Sequence, residues 1–191
     1  MEGQMHIKAM AKINLGLDVL GKREDGYHEV RMIMQTIRMY DILDIRKTRR
    51  PGIVLTTNLP FIPTDQRNLV YKAAQMLMEE FDVEEGLSIK LRKFIPVAAG
   101  MAGGSSDAAA AFVGVNRMFH LGLTEEQLME RAVKVGADVP YCIMRGTALA
   151  EGIGEKLTRL PEVPKCYVLI GKPGINVSTK TAYENLNLEG I

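Results

Sequence analysis

The chain has 191 residues, 47% of them apolar and 25% charged, which is the make-up of an ordinary folded protein and length for one domain, or one and part of another. A net charge of +1 gives no ground for nucleic-acid or membrane-surface binding. No apolar run resembles a signal peptide or a membrane span, and Cys142 and Cys166 lack metal-like spacing, so the expectation is a cytoplasmic protein with two buried, reduced thiols, a monomer or weak homodimer without nucleic-acid or membrane partners.

Residues 5–20 read as one or two strands, with Ile13, Leu15, Leu17 and Val19 alternating with Asn14, Gly16 and Asp18. A polar turn over 21–26 leads to a long return from Tyr27 to about Lys47, with Val30, Met32 and Met34 on one side. A short strand, Ile53–Leu55, and a proline-marked loop follow. Asn68 is placed to cap a helix reaching about Phe81, and Leu87–Leu91 alternates like a half-buried strand.

Residues 96–111 carry the strongest local signal. Gly100, Gly103 and Gly104 permit positive φ and close approach, Ser105 and Ser106 suit a helix cap, Asp107 suits the first turn, and four alanines continue the helix to about Phe119. Strand, glycine-rich loop and helix start aim free N–H groups at one point, where a phosphate chain fits. The loop has no Lys, which excludes the P-loop, and its GxxGG order excludes the dinucleotide fingerprint.

Beyond the loop, Thr124-Glu125-Glu126-Gln127 is a capping box for a helix carrying Leu128, Met129, Ala132 and Val135. Residues 136–141 read as a turn into a strand, and 146–157 as two short strands about Gly152-Ile153-Gly154. Pro161 and Pro164 look like a linker, Tyr167–Ile170 like a buried strand, and Thr179 to about Leu186 like a short helix. Strands first and helices on one side make α+β the expected class.

Lys12 sits on a strand among apolar neighbours, where a lysine is ordinarily solvated, and Asp138 sits in a Gly-Ala-Asp-Val-Pro turn, where an Asx turn is the ordinary role. Near a γ-phosphate the two make a workable pair: the carboxylate accepts a hydroxyl proton, and the ammonium offsets phosphoryl charge.

Pro96 through Ser106 resembles the ATP-binding loop of the GHMP kinases (galactokinase, homoserine kinase, mevalonate kinase, phosphomevalonate kinase), with Met101 in place of that loop's leucine. Ala11-Lys12-Ile13-Asn14-Leu15, Gly26-Tyr27-His28, Gly136-Ala137-Asp138-Val139-Pro140 and Glu151-Gly152-Ile153-Gly154-Glu155 resemble one branch of that family, whose acceptor carries a cytidine diphosphate (CDP-methylerythritol). The resemblance implies the family's N-terminal fold over residues 1–160, a mixed or antiparallel sheet with helices on one side and a left-handed βαβ unit like that of a ribosomal protein. Residues 161–191 would begin a C-terminal α+β domain.

The resemblance also implies ATP and Mg²⁺ as cofactors and Lys12 and Asp138 as the catalytic pair. Pro96, Val97, Ala98, Ala99, Gly100, Met101, Ala102, Gly103, Gly104, Ser105 and Ser106 would wrap the ATP phosphates. Either Ser105 or Ser106 would reach phosphate or Mg²⁺, with no metal held by the chain alone. Tyr27 and His28 would meet the cytosine, by stacking and by hydrogen bonding, with Tyr183 as a second stacking partner. Asn14 would bond near the transferred phosphate or the acceptor hydroxyls. A homoserine or mevalonate kinase is disfavoured because neither substrate offers a base to stack on, and retention of Lys12 and Asp138 argues against a non-catalytic nucleotide module. The family's third glycine-rich motif is absent from these 191 residues, so the chain alone is expected to show weak or no kinase activity; substantial turnover by the purified chain would contradict this.

Overall fold

The computed structural model describes residues 3–174 together with 182, 185 and 186. Six strands form one sheet: β1 (Gln4–Lys22), β2 (His28–Thr48), β3 (Ile53–Thr57), β4 (Gly86–Arg92), β5 (Thr147–Gly152) and β6 (Lys156–Arg159). Among the described residues four helices accompany them: α1 (Leu69–Glu80), α2 (Gly103–Met118), α3 (Glu125–Ala132) and α4 (Val139–Met144). The class is α+β, as expected.

The 21-residue β2 organises the sheet. One edge pairs antiparallel with β1 along nearly its whole length. The other edge is shared: Val30–Gln35 pair with β5 and Ile42–Thr48 pair with β4, both antiparallel. Between these partners, residues 36–41 have no strand beside them. β3 lies parallel to β4 at the sheet's edge, and the chain between them runs through α1.

Local chemistry accounts for most boundaries. Asn68 caps α1, its Oδ1 accepting from Val70 N–H at 2.9 Å. Thr124 and Gln127 close the capping box of α3. The apolar alternation Leu87, Ile89, Leu91 puts all three residues in the core. The alanines of α2 act beyond helix propensity. With Gly114 they let the helix lie close on the sheet: a Cβ on Gly114 would stand 2.4 Å from Ile45 Cδ1 and 2.9 Å from Ile7 Cδ1.

Several expectations are corrected. The helix α2 begins at Gly103, so Ser105 and Ser106 lie inside it rather than at its cap, which is Ala102 with φ 52°. Asp107 therefore falls beyond the first turn and is buried. Residues 139–144 are a helix, not a strand; Pro140 in the first turn suits a helix start, and the β-prone Val139, Tyr141 and Ile143 are overridden by packing in the core. Leu15 and Leu17 are exposed, while Val19 of the same alternation packs against the core. Tyr167–Ile170 forms no strand. Tyr167 and Leu169 are 106% and 100% exposed, so no described residue covers these two side chains. Cys166 is exposed; only Cys142 is buried. The helix expected over Thr179–Leu186 falls largely outside the described residues.

Two measurements check this packing. Gly114→Ala is expected to lower unfolding free energy by about 1–3 kcal/mol through overpacking, measured by urea denaturation. Burial pushes the Cys142 thiol and the Tyr141 phenol each up to about 12 from ordinary values of 9.0 and 10.0. Both are acids with raised folded values, so the folded chain keeps protons that the unfolded chain releases. Their support is complete below about pH 9 and is lost as pH rises toward 12. The expected outcome is falling stability across that window, and at pH 8 one thiol reacting with a disulfide reagent in the native chain against two in denaturant.

Candidate active site

A cleft of about 1490 Å³ carries on its walls both the glycine-rich loop and the two residues singled out for chemistry, Lys12 and Asp138. The β1–β2 pairing breaks register at this level. Met10 faces Tyr40 and Lys12 faces Thr36, so one residue of β1 spans the same interval as three of β2. Beside the break, backbone groups on the outer edge of β1 take partners from the loop and from α2. Lys12 N–H donates to the Met101 carbonyl at 3.2 Å, and the Met10 carbonyl accepts from Ser106 Oγ at 2.6 Å. Strand and loop are thereby joined, with Ala11, Ile95 and Met101 packed between them.

The loop itself is a run of alternating backbone hand. Ala98, Gly100 and Ala102 have φ of 54°, 70° and 52°. Such alternation turns successive N–H groups toward one concave side, the geometry of an anion nest. The first-turn amides of α2, Gly103, Gly104 and Ser105, have no carbonyl within the helix; its first bond is Ser106 N–H to the Ala102 carbonyl at 2.8 Å. Nest and helix start together make a phosphate cradle. Left-handed φ at the two alanines costs about 1–2 kcal/mol each, which the tethering of the loop to β1 sustains. Of the three glycines read as conformational, only Gly100 has positive φ; Gly103 is instead small because Lys93 Nζ and Ile95 Cγ2 would lie 3.1 and 3.2 Å from its Cβ.

Lys12 is buried, 5% exposed, contrary to the solvated role usual for a strand lysine. Its Nζ donates to Asn14 Oδ1 at 3.1 Å and stands 3.9 Å from Asp138 Oδ2, an ion pair too long for a hydrogen bond. Asp138 caps the first turn of α4 without a side-chain capping bond, so its carboxylate remains available to the cleft. Helix α4 is held at its far end. Tyr141 Oη donates to the Gly146 carbonyl at 2.7 Å and lies 3.0 Å from Thr36 Oγ1, which accepts from Gly146 N–H at 3.0 Å.

The two serines separate. Ser105 lines the cleft, whereas Ser106 is buried, its hydroxyl donating to the Met10 carbonyl and lying 3.3 Å from Cys142 Sγ. Pro96, Val97, Ala98, Ala99, Gly100, Met101, Ala102, Gly103 and Gly104 all line the cleft, as do Asn14, Tyr27 and His28. Tyr27 is 60% exposed and so is not a core aromatic. Its turn is held by Arg23 N–H to the Tyr27 carbonyl at 2.8 Å and Tyr27 N–H to Asp25 Oδ1 at 3.1 Å. Tyr183 lies outside the described residues. Among the described residues, no three His, Cys, Asp or Glu side chains gather as a metal site, and no helix is long and apolar enough to cross a membrane.

Sequence reading missed Asp41, Lys93 and the true role of Asp107, which form a buried charged cluster under the loop. One signal was present: Asp41 is a lone acid in the apolar run Met39–Leu43.

The comparisons with known proteins follow this geometry. Residues 68–146 match the model of the GHMP kinases N terminal domain. Over 183 residues the chain is 56% identical to the 4-diphosphocytidyl-2-C-methyl-D-erythritol kinase of Lachnospira eligens, covering 96% of this chain and 64% of that protein. It is 58% identical to the protein of the same name from Lachnoclostridium phytofermentans, covering 96% of this chain and 63% of that one. A crystal structure of 4-(cytidine 5'-diphospho)-2C-methyl-D-erythritol kinase superposes with a TM-score of 0.81 at 32% identity, covering 97% of this chain and 65% of that one. A homoserine kinase from Cytophaga hutchinsonii, 19% identical with a TM-score of 0.74 over 99% of this chain and 62% of that one, shares the fold. The chain thus spans just under two thirds of the length of these relatives. In its matched segment, its relatives and its fold, the chain is similar to the GHMP kinases.

Proposed function

We propose that this chain is the ATP-binding and catalytic portion of a 4-diphosphocytidyl-2-C-methyl-D-erythritol kinase, a cytoplasmic enzyme of the non-mevalonate route to isoprenoids. One observation carries the reading: Lys12 Nζ and Asp138 Oδ2, 126 positions apart in the chain (138 − 12), stand 3.9 Å apart in the cleft that the phosphate cradle lines. Residues 1–160 supply cradle, pair and acceptor wall, and residues 161–191 begin the second domain.

In this reading the cradle amides of 98–105 hold the triphosphate of ATP, and the tertiary C2 hydroxyl of the methylerythritol unit lies against Asp138. Asp138 takes the hydroxyl proton as its oxygen bonds to the γ-phosphorus. The bond from that phosphorus to the β–γ bridging oxygen breaks, and ADP leaves with the electron pair. Lys12, anchored by Asn14, steadies the carboxylate and offsets charge on the transferred group. Ser105, whose hydroxyl is not spent on the backbone of β1, is the serine that reaches phosphate or magnesium. Mg²⁺ would be held by the nucleotide phosphates with Ser105, neutralising phosphate charge. Tyr27 offers an exposed aromatic face to the cytosine, and His28 beside it a polar edge.

The test is ADP release with ³¹P detection of product, using this chain joined to the C-terminal third of the Lachnospira eligens relative. Turnover is expected with CDP-methylerythritol and not with homoserine or mevalonate. Lys12→Ala and Asp138→Asn should each lower kcat by about 10²–10⁴-fold with circular dichroism unchanged. Tyr27→Ala should raise KM for the cytidyl substrate roughly tenfold or more, from about 1–3 kcal/mol of stacking, with little change in KM for ATP. Full activity in Asp138→Asn, or preference for homoserine, would overturn the reading.

A further inference from the structure

Beneath the cradle lies a group of charges that the transfer itself does not use. Lys93 follows the last residue of β4, and its ammonium is buried between two carboxylates, Asp41 of β2 and Asp107 of α2, the latter at 2.6 Å. The other oxygen of Asp41 accepts Phe94 N–H at 2.5 Å and Ile95 N–H at 2.8 Å. Asn58 holds the same turn from the other side, its Oδ1 accepting from Lys93 N–H at 2.7 Å and its amide donating to the Lys93 carbonyl at 3.1 Å.

The position of this cluster matters. Pairing between β2 and β4 ends at Ile42 and Arg92. One residue on, the Asp41 carboxylate replaces the missing strand partner and bends the chain into the loop. Through Lys93 that bend is tied to α2, about one turn beyond the amides that open the helix. Gly103 leaves the room: any Cβ there would stand 3.1 Å from Lys93 Nζ. Burying three ionisable groups is a poor route to stability compared with apolar packing. Asp107 Oδ1 has no hydrogen-bond partner, and burial pushes this carboxyl well above its ordinary range, against the opposing charge of Lys93.

Resting on the reading of the loop as a triphosphate cradle, we propose that Asp41, Lys93 and Asp107 form a positioning cluster whose central ammonium sets the spacing between the loop entrance and the first turn of α2, so that the cradle is shaped before nucleotide arrives. A cradle held this way avoids the ordering loss that a floppy glycine loop meets on binding. Lys93 and Asp107 border the cleft at 7% and 2% exposure, and the cluster acts through the backbone it pins.

The experiment compares the 191-residue chain with Lys93→Met and with Lys93→Met combined with Asp107→Asn. Three quantities are read: ATP dissociation constant by calorimetry, amide hydrogen exchange, and melting temperature. Lys93→Met is expected to weaken ATP at least tenfold and to speed exchange at least tenfold over residues 97–105, leaving β1 and β2 unchanged. Adding Asp107→Asn removes a carboxylate left without its counter-charge and should recover part of the lost affinity, which a side chain that merely filled space would not do. ATP affinity within twofold of the parent, absence of recovery, or faster exchange spread over the whole sheet would overturn the proposal. If the parent chain itself binds no ATP, the functional reading fails, while the exchange contrast, which needs no nucleotide, still decides for or against the cluster. If Lys93→Met does not fold, Asp41→Asn, which keeps an acceptor for the two amides but loses the ion pair, is judged by the same affinity and exchange outcomes.

Discussion

The register break between β1 and β2 is the constraint on which the site depends. Among the described strands β1 pairs with β2 alone, so its outer edge keeps N–H and C=O groups that no strand takes. At the break, where Ala11 alone spans the interval that Ile37, Arg38 and Met39 span opposite, the Lys12 amide and the Met10 carbonyl bond to Met101 and Ser106. Two hydrogen bonds thus weld the phosphate loop to the strand that carries Lys12. Cradle and ammonium then move as one body, and the separation that matters for chemistry does not rest on a flexible loop.

The other edge of β2 completes the arrangement by what it lacks. Residues 36–41 have no neighbouring strand, and side chains stand in for one. Thr36 takes the Gly146 amide and so fixes the end of the helix whose start bears Asp138. Asp41 takes the Phe94 and Ile95 amides and so fixes the entrance to the loop. The same six-residue gap therefore positions the acid, through α4, and the anion cradle, through β4. This is why residues far apart in sequence converge there, and why the alanines at positive φ are held despite their preference.

Local order was largely legible in the sequence because it rests on short-range chemistry. Asn68 and Thr124 cap the helices they were read to cap, since a capping bond involves residues two or three apart. The period-2 pattern of Leu87–Leu91 placed β4, and the glycine-rich segment was recognisable as an anion loop. The errors have physical causes. Gly103 and Gly104 were read for conformational freedom, whereas a Cβ at Gly103 would crowd Lys93 and Ile95, a fact about neighbours. Residues 136–141 read as a turn into a strand, whereas Val139–Met144 is a helix, all six of its residues buried. Tyr167–Ile170 looked buried by composition, yet burial needs a covering surface, and no described residue supplies one for Tyr167 or Leu169.

What the sequence determined by itself was most of the elements, their order, and the presence of a loop able to grip phosphate, all of which follow from periodicity, caps and turn residues. The importance of Lys12 and Asp138 came only from resemblance, since spacing along a chain carries no distance in space. Tertiary structure alone decided that these two meet, that Ser105 faces the cleft while Ser106 does not, and that Asp41, Lys93 and Asp107 share one buried point. Each of those outcomes depends on how β2 apportions its second edge between β5 and β4, and strand pairing across more than a hundred residues leaves no trace in local sequence.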